Sequence, residues 1–173
     1  MTPSADEVDG DPVRDIGVRG IGVRGIGIDA VDVARFRTVL GRRPGLARRL
    51  FTDAERSYAE SGKDPGPRLA ARFAAKEAVL KALGVGIGAT DFHDVEVVRD
   101  ASGAPRLALA GRAATLAAAR GVRWWHLSLS HTELVAVASV VAEGESGASG
   151  ESGASGESGT SGESGAWGES GAL

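Results

Sequence analysis

Residues 71–84 read ARFAAKEAVLKALG, and the way this stretch folds decides what must surround it. Ala, Leu, Lys and Glu are strong helix formers and Gly84 supplies a stop, so the pattern predicts a helix from Arg68 to Leu83. At about 100° per residue, Leu69, Phe73, Leu80 and Leu83 fall on one face. Lys76 falls in the middle of that face, and Glu77 and Lys81 flank it one turn apart. Two readings fit. In the first, Glu77 and Lys81 form a surface pair worth about a few tenths of a kcal/mol, and Lys76 snorkels. In the second, the helix edge is a site, with ammonium groups for phosphates and a carboxylate for a metal. Lys76 strains the first reading, because an unpaired ammonium between Phe73 and Leu80 is costly and calls for an anion.

Upstream, Pro65-Gly66-Pro67 breaks the chain. Leu46 to Ser61 is another helical stretch, with Thr52 a candidate cap inside it. Asp32 can cap a helix that runs to about Leu40 and is stopped by Gly41 and Pro44. Before it, Ile26-Gly27-Ile28 reads as a short strand ending near Asp29. Asp29 suits a turn or cap. Placed near Glu77, it would also give magnesium a second hard oxygen ligand.

Downstream, Gly84–Gly88 reads as a flexible loop. Val95–Arg99 and Arg106–Leu109 read as strands joined by a turn at Asp100–Gly103. Gly111–Arg120 reads as a helix. Trp124–Ser130 and Leu134–Val141 read as strands linked at His131-Thr132-Glu133. The order β, three helices, ββ, α, ββ is an α+β layout, not the alternation of a doubly wound sheet.

The glycines Gly20, Gly22 and Gly25 spell G-x-G-x-x-G, yet they precede a strand, and no helix opens at Gly25 to receive a phosphate. The stretch VRGIGVRGIG reads instead as a duplication at the end of an acidic leader. From Glu145 the chain repeats ESGASG-like units, low-complexity sequence that cannot bury enough apolar surface to order itself. The expected organisation is a disordered leader over 1–23, one domain over 24–142 and a disordered tail over 143–173. No cysteine is present among the 173 residues, which excludes disulfides and thiolate metal sites. The first residues lack the apolar core of a signal peptide, and no run reaches membrane-spanning length, so a cytoplasmic location is expected.

The net charge of −3 hides an asymmetry. Residues 26–142 hold 17 basic and 12 acidic side chains, while the ends are acidic. Such a basic core suits an anionic ligand or an acidic partner. Arg35, Arg37, Arg42, Arg43, Arg48 and Arg49 crowd the first helix and its exit, without the interleaved aromatics of a nucleic-acid groove.

Three segments carry a family resemblance: Gly25-Ile-Gly-Ile-Asp29 with Ala30–Val33, Arg72-Phe-Ala-Ala-Lys-Glu-Ala78 with Lys81–Gly84, and His126-Leu-Ser-Leu-Ser-His131. With the Gly103-Ala-Pro105 turn they resemble the holo-[acyl-carrier-protein] synthases, the short class of 4′-phosphopantetheinyl transferases. The match spans nearly all of 25–142. Val85 and Val135 depart from the pattern, where threonine and an aromatic residue are usual.

The resemblance implies a 4′-phosphopantetheinyl transferase fold, an antiparallel sheet packed with helices. It implies transfer of 4′-phosphopantetheine from coenzyme A to a serine of an apo acyl carrier protein, releasing adenosine 3′,5′-bisphosphate. Catalysis would then rest on positioning and charge neutralisation. Asp29 and Glu77 would bind Mg²⁺, and Lys81 would pair with phosphate oxygens. Glu77, or a water held by the metal, would take the serine proton. Arg72 and Lys76 would line the same pocket, and Ser130 and His131 would approach the coenzyme. His131 also fits a plain turn residue. Arg35 and Arg42 would dock the acidic carrier, and the assembly would be a homotrimer. No nucleic acid or membrane partner is expected. Two other classes remain conceivable from sequence: a non-catalytic carrier- or nucleotide-binding module, and a dinucleotide oxidoreductase built on Gly20–Gly25.

Overall fold

The computed structural model describes residues 20–145. The chain begins with strand β1 (Ile21–Asp32), followed by helices α1 (Val33–Arg42), α2 (Leu46–Leu50), α3 (Asp53–Glu60) and α4 (Pro65–Ala82). A 3₁₀ turn over Phe92–Asp94 leads into β2 (Val95–Arg99) and β3 (Pro105–Leu109), then α5 (Gly111–Ala119), β4 (Trp124–His131) and β5 (Val135–Glu145). The strands form two antiparallel sheets, β1-β5-β4 and the hairpin β2-β3. The α+β class and the element order follow the sequence reading.

Several local expectations are corrected. β1 runs through Asp29 to Asp32, and starts at Ile21 opposite Glu145 on β5. Paired strand therefore extends beyond the expected domain limits of 24 and 142 at both ends. Of the G-x-G-x-x-G, Gly22 and Gly25 lie inside this strand and Gly20 immediately precedes it. The stretch 46–61 divides into α2 and α3 at Thr52, which caps α3 in a reciprocal box with Glu55. Pro65-Gly66-Pro67 opens α4 rather than breaking the chain, since Pro fits the first turn, where no helical N–H bond is lost. Asp64 caps this start by accepting from the Gly66 N–H. The leader over 1–19 and the tail over 146–173, both expected to be disordered, lie outside the described residues.

α4 packs on one face of the three-stranded sheet, against Ala136, Ala138, Val140 and Ala142 of β5, all fully buried. β1 meets the same helix at very close range. A Cβ on Gly25 would strike the Ala82 carbonyl, and one on Gly27 the Ala78 carbonyl. Glycine at these two positions lets strand and helix backbones touch.

The other sheet face is apolar and uncovered among the described residues. A bulge at Arg24 adds one residue to β1. It shifts the alternation by one, so Ile21, Val23, Ile26 and Ile28 all leave the same outer face. All four are more than half exposed. Trp124 of β4 lies on that face too, as does His126, whose Nε2 is 2.8 Å from Glu143.

Candidate active site

The second half of α4 and the last third of β1 bring together the residues singled out from sequence. Asp29 faces the helix side of β1, between Gly27 and Val31. Lys81 donates to Asp29 Oδ1 at 2.9 Å and to the Ile28 carbonyl at 3.0 Å. It is therefore paired with the strand and not with Glu77, its neighbour one turn back. Glu77 Oε1 is buried with no hydrogen-bond partner. Burial, with the Asp29 charge added, pushes the Glu77 carboxyl up from its ordinary range, and Lys81 partly opposes this.

These three groups sit in a cleft of about 630 Å³ between α1, α4 and the turn at Phe92. Its far wall is apolar, formed by Phe36, Phe73, Phe92, Leu46 and Ile87. The rings stack in series: Phe36–Phe73 centroids are 5.3 Å apart and Phe73–Phe92 5.6 Å. Arg35 and Arg43 also line the cleft. Arg42 is exposed on α1, seven residues from Arg35 and so on nearly the same face.

Arg72 and Lys76 do not line this cleft. Lys76 is fully enclosed on the other side of α4, 2.7 Å from Glu55 Oε2. It also donates to the Phe92 carbonyl at 2.8 Å and the Val95 carbonyl at 2.6 Å. The anion that its position called for is a carboxylate of the same chain, 21 residues upstream. Burial pulls the Lys76 ammonium down from its ordinary value, and Glu55 opposes that pull. Arg72 is buried over the Tyr58 ring, 4.2 Å from its centroid, and donates to the Arg68 carbonyl. Burial lowers it as well, with Glu55 and Tyr58 acting against the shift.

Ser130 and His131 end β4, two strands away from β1. Being consecutive on a strand, they leave opposite faces. Both are exposed, and neither lines the cleft.

Sequence reasoning missed the aromatic wall and Glu55. Thr52-x-x-Glu55 is a legible capping box, but it gives no hint that the same carboxylate neutralises Lys76. Phe36, Phe73 and Phe92 carry no shared spacing that would join them.

As to metal, no group of three or more acidic or histidine side chains suited to an ion occurs among the described residues. Two carboxylates, one with an orphaned buried oxygen, fit a hard cation that takes its other ligands from a substrate and water.

The profile of the 4′-phosphopantetheinyl transferase superfamily matches residues 25–138. The holo-[acyl-carrier-protein] synthase of Clavibacter sepedonicus is 55% identical over 117 residues, covering 68% of this chain and 92% of the relative. Among solved structures, the holo-(acyl-carrier-protein) synthase of Bacillus anthracis in complex with CoA superposes with a TM-score of 0.59. It is 36% identical and covers 71% of this chain and 98% of that one. The Helicobacter pylori enzyme in complex with coenzyme A gives a TM-score of 0.60 at 30% identity, covering 68% of this chain and 98% of that one. The chain belongs to the 4′-phosphopantetheinyl transferase superfamily and, within it, to the family of holo-[acyl-carrier-protein] synthases. It is an enzyme, a transferase of the phosphopantetheinyl group.

Proposed function

We propose that the chain moves 4′-phosphopantetheine from coenzyme A to a serine hydroxyl of an apo acyl carrier protein, with Mg²⁺ bound by Asp29 and Glu77. The observation that carries this is the buried, unpartnered Oε1 of Glu77 beside Asp29 and Lys81, at one end of a cleft with an apolar wall. The complexes of the Bacillus anthracis and Helicobacter pylori relatives with coenzyme A support the choice of donor.

When bound, the metal would neutralise charge on the pyrophosphate oxygens. Lys81 adds a second positive charge there, within reach of phosphate oxygens once it turns from Asp29. The serine Oγ attacks the phosphorus that bears the pantetheine. The bond from that phosphorus to the bridging oxygen breaks, and adenosine 3′,5′-bisphosphate leaves. The serine proton passes to Glu77, whose carboxylate lines the cleft beside Asp29 and Lys81. The wall of Phe36, Phe73 and Phe92 supplies apolar surface for the pantetheine arm. Arg35 and Arg42, at and beside the mouth, meet the acidic carrier, whose attraction salt would weaken.

The exposed Ile21, Val23, Ile26 and Ile28 stripe supports self-association through the outer sheet face, as a homotrimer. A cytoplasmic workplace fits the same reading. No helix among the described residues is long and apolar enough to cross a membrane.

The test is direct. The protein is incubated with coenzyme A, Mg²⁺ and apo carrier, and the carrier is weighed. A gain of one phosphopantetheine, absent with chelator, is expected; no gain with any of several acidic carriers would end the proposal.

A further inference from the structure

Lys76 sits where a phosphate ligand was expected, yet its three N–H donors already have three acceptors: Glu55 Oε2, the Phe92 carbonyl and the Val95 carbonyl. No donor remains for an anion. Both Glu55 oxygens are occupied as well. Its Oε1 accepts from the Val97 N–H at 3.0 Å, and Oε2 also accepts from the Thr52 N–H at 3.1 Å. A pair this enclosed gives little stability beyond what apolar side chains of the same volume would give. What it does supply is geometry. It ties the cap of α3, the middle of α4, the Phe92 turn and β2 to one point.

The tied turn is part of the cleft. Phe92 follows a loop with Gly84 and Gly88 at positive φ. The turn is gripped from outside by His93 Nε2 at 2.8 Å from the Arg48 carbonyl, and from inside by Lys76. Lys76 is the sequence neighbour of Glu77. The position of the Phe92 ring relative to the Glu77 carboxylate is thus set through one residue of α4.

We propose that Glu55 and Lys76 are positioning residues of the transfer reaction. Their buried ion pair holds the Phe92 end of the aromatic wall against the pantetheine arm of coenzyme A, at a fixed distance from Glu77. This rests on the functional reading above, which assigns the arm to that wall. Neither residue touches the substrate.

The experiment compares two ligands of the full-length chain in the presence of Mg²⁺: coenzyme A, which has the arm, and adenosine 3′,5′-bisphosphate, which lacks it. The double variant Glu55→Gln/Lys76→Met removes both charges and so leaves neither stranded. With cooperative unfolding retained, its coenzyme A dissociation constant and KM are expected to rise about tenfold, a loss of one well-placed contact's size. Its affinity for adenosine 3′,5′-bisphosphate is expected to hold within about twofold on the same scale. A merely structural role would leave both affinities unchanged, or weaken both alike, and either result overturns the proposal. Should the double variant fail to fold, Lys76→Arg takes its place. It keeps the charge but cannot match three acceptors, so the same selective loss is expected, and unchanged coenzyme A affinity overturns the proposal. Wild-type protein that transfers nothing would instead overturn the functional reading, so the two failures are told apart.

Discussion

Lys76 and Lys81 lie five residues apart on α4, and everything that matters about each is decided by what packs against it. Lys76 meets α3, the Phe92 turn and β2, and is sealed by three acceptors. Lys81 meets β1 and keeps about half its side chain in solvent, bound to Asp29. One lysine is locked into the frame, and the other lies in the cleft beside Asp29 and Glu77. The spacing of about 140° around the helix put them on different faces, but spacing could not say which face would be roofed.

The sharpest way to break this contrast is to remove each ammonium in turn. Lys76→Met strands the Glu55 carboxylate in the interior and should cost about 3–5 kcal/mol of unfolding free energy, read from urea titration. Lys81→Met should cost within about 1 kcal/mol, as partly exposed pairs do. Equal losses would erase the distinction drawn between the two lysines.

Turnover should show the reverse order. Glu77→Gln removes the orphaned oxygen's charge from the cleft, and kcat for carrier modification should fall by about 10³-fold, with far-UV circular dichroism unchanged. Lys81→Met should lower it by about 10²-fold, the scale of one lost electrostatic stabiliser. A Glu77→Gln enzyme at wild-type rate would remove Glu77 from the mechanism.

The frame also depends on how closely β1 approaches α4. At Gly27 an added methyl meets backbone carbonyl, which cannot swing aside. Gly27→Ala should cost about 1–3 kcal/mol as overpacking. Gly41 on α1 has nothing within reach of a Cβ, and Gly41→Ala should instead stabilise by about 0.5–1 kcal/mol through helix propensity. If the two substitutions behaved alike, the close packing would not be what Gly27 is for.

Much of this is legible in the sequence. The helix over 68–83, the hairpin at Asp100–Gly103 and the α+β order follow from periodicity and turn chemistry, which are local. Asp29, Glu77 and Lys81, which the structure brings into one cleft, also stood out, because charged residues beside an apolar strand and along a core-facing helix contrast with their neighbours. Contacts across the chain were illegible. Glu55 and Lys76 are 21 residues apart on different helices, and no local rule joins them. The parity shift at Arg24 was hidden too: VRGIG repeats every five residues, an odd period that alternation alone would send to opposite faces. The bulge keeps Ile21 and Val23 with Ile26 and Ile28. Pro65-Gly66-Pro67 misled because proline ends a helix from within yet starts one well, and the difference lies in where the helix begins.

The site carries a stability cost that pH should expose. The folded-state proton affinity of Glu77 lies above its ordinary value of 4.5, owing first to burial and then to Asp29. Between 4.5 and that raised value the folded chain binds more protons than the unfolded one, so this group's contribution to stability falls as pH rises. In metal-free buffer, Glu77→Gln should therefore be more stable than wild type at pH 7. The advantage should shrink as the pH falls toward 4, where the wild-type carboxyl is protonated in both states. An advantage that grew in acid would contradict the sign.

The smallest effect should come from the rim of the cleft. Arg42 is exposed on α1 and makes no part of the Asp29–Glu77–Lys81 cluster. Its contribution to carrier docking would be long-range attraction, which changes encounter more than chemistry. Arg42→Ala should raise KM for the carrier by about two- to fivefold at low salt and leave KM for coenzyme A and kcat in place. Raising ionic strength shortens the reach of charge to about 3 Å at 1 M, so the variant and wild-type values should converge there. A salt-independent rise, or an equal rise in KM for coenzyme A, would place Arg42 in the frame rather than at a docking surface. It would also move the boundary between the two regions that the lysines define.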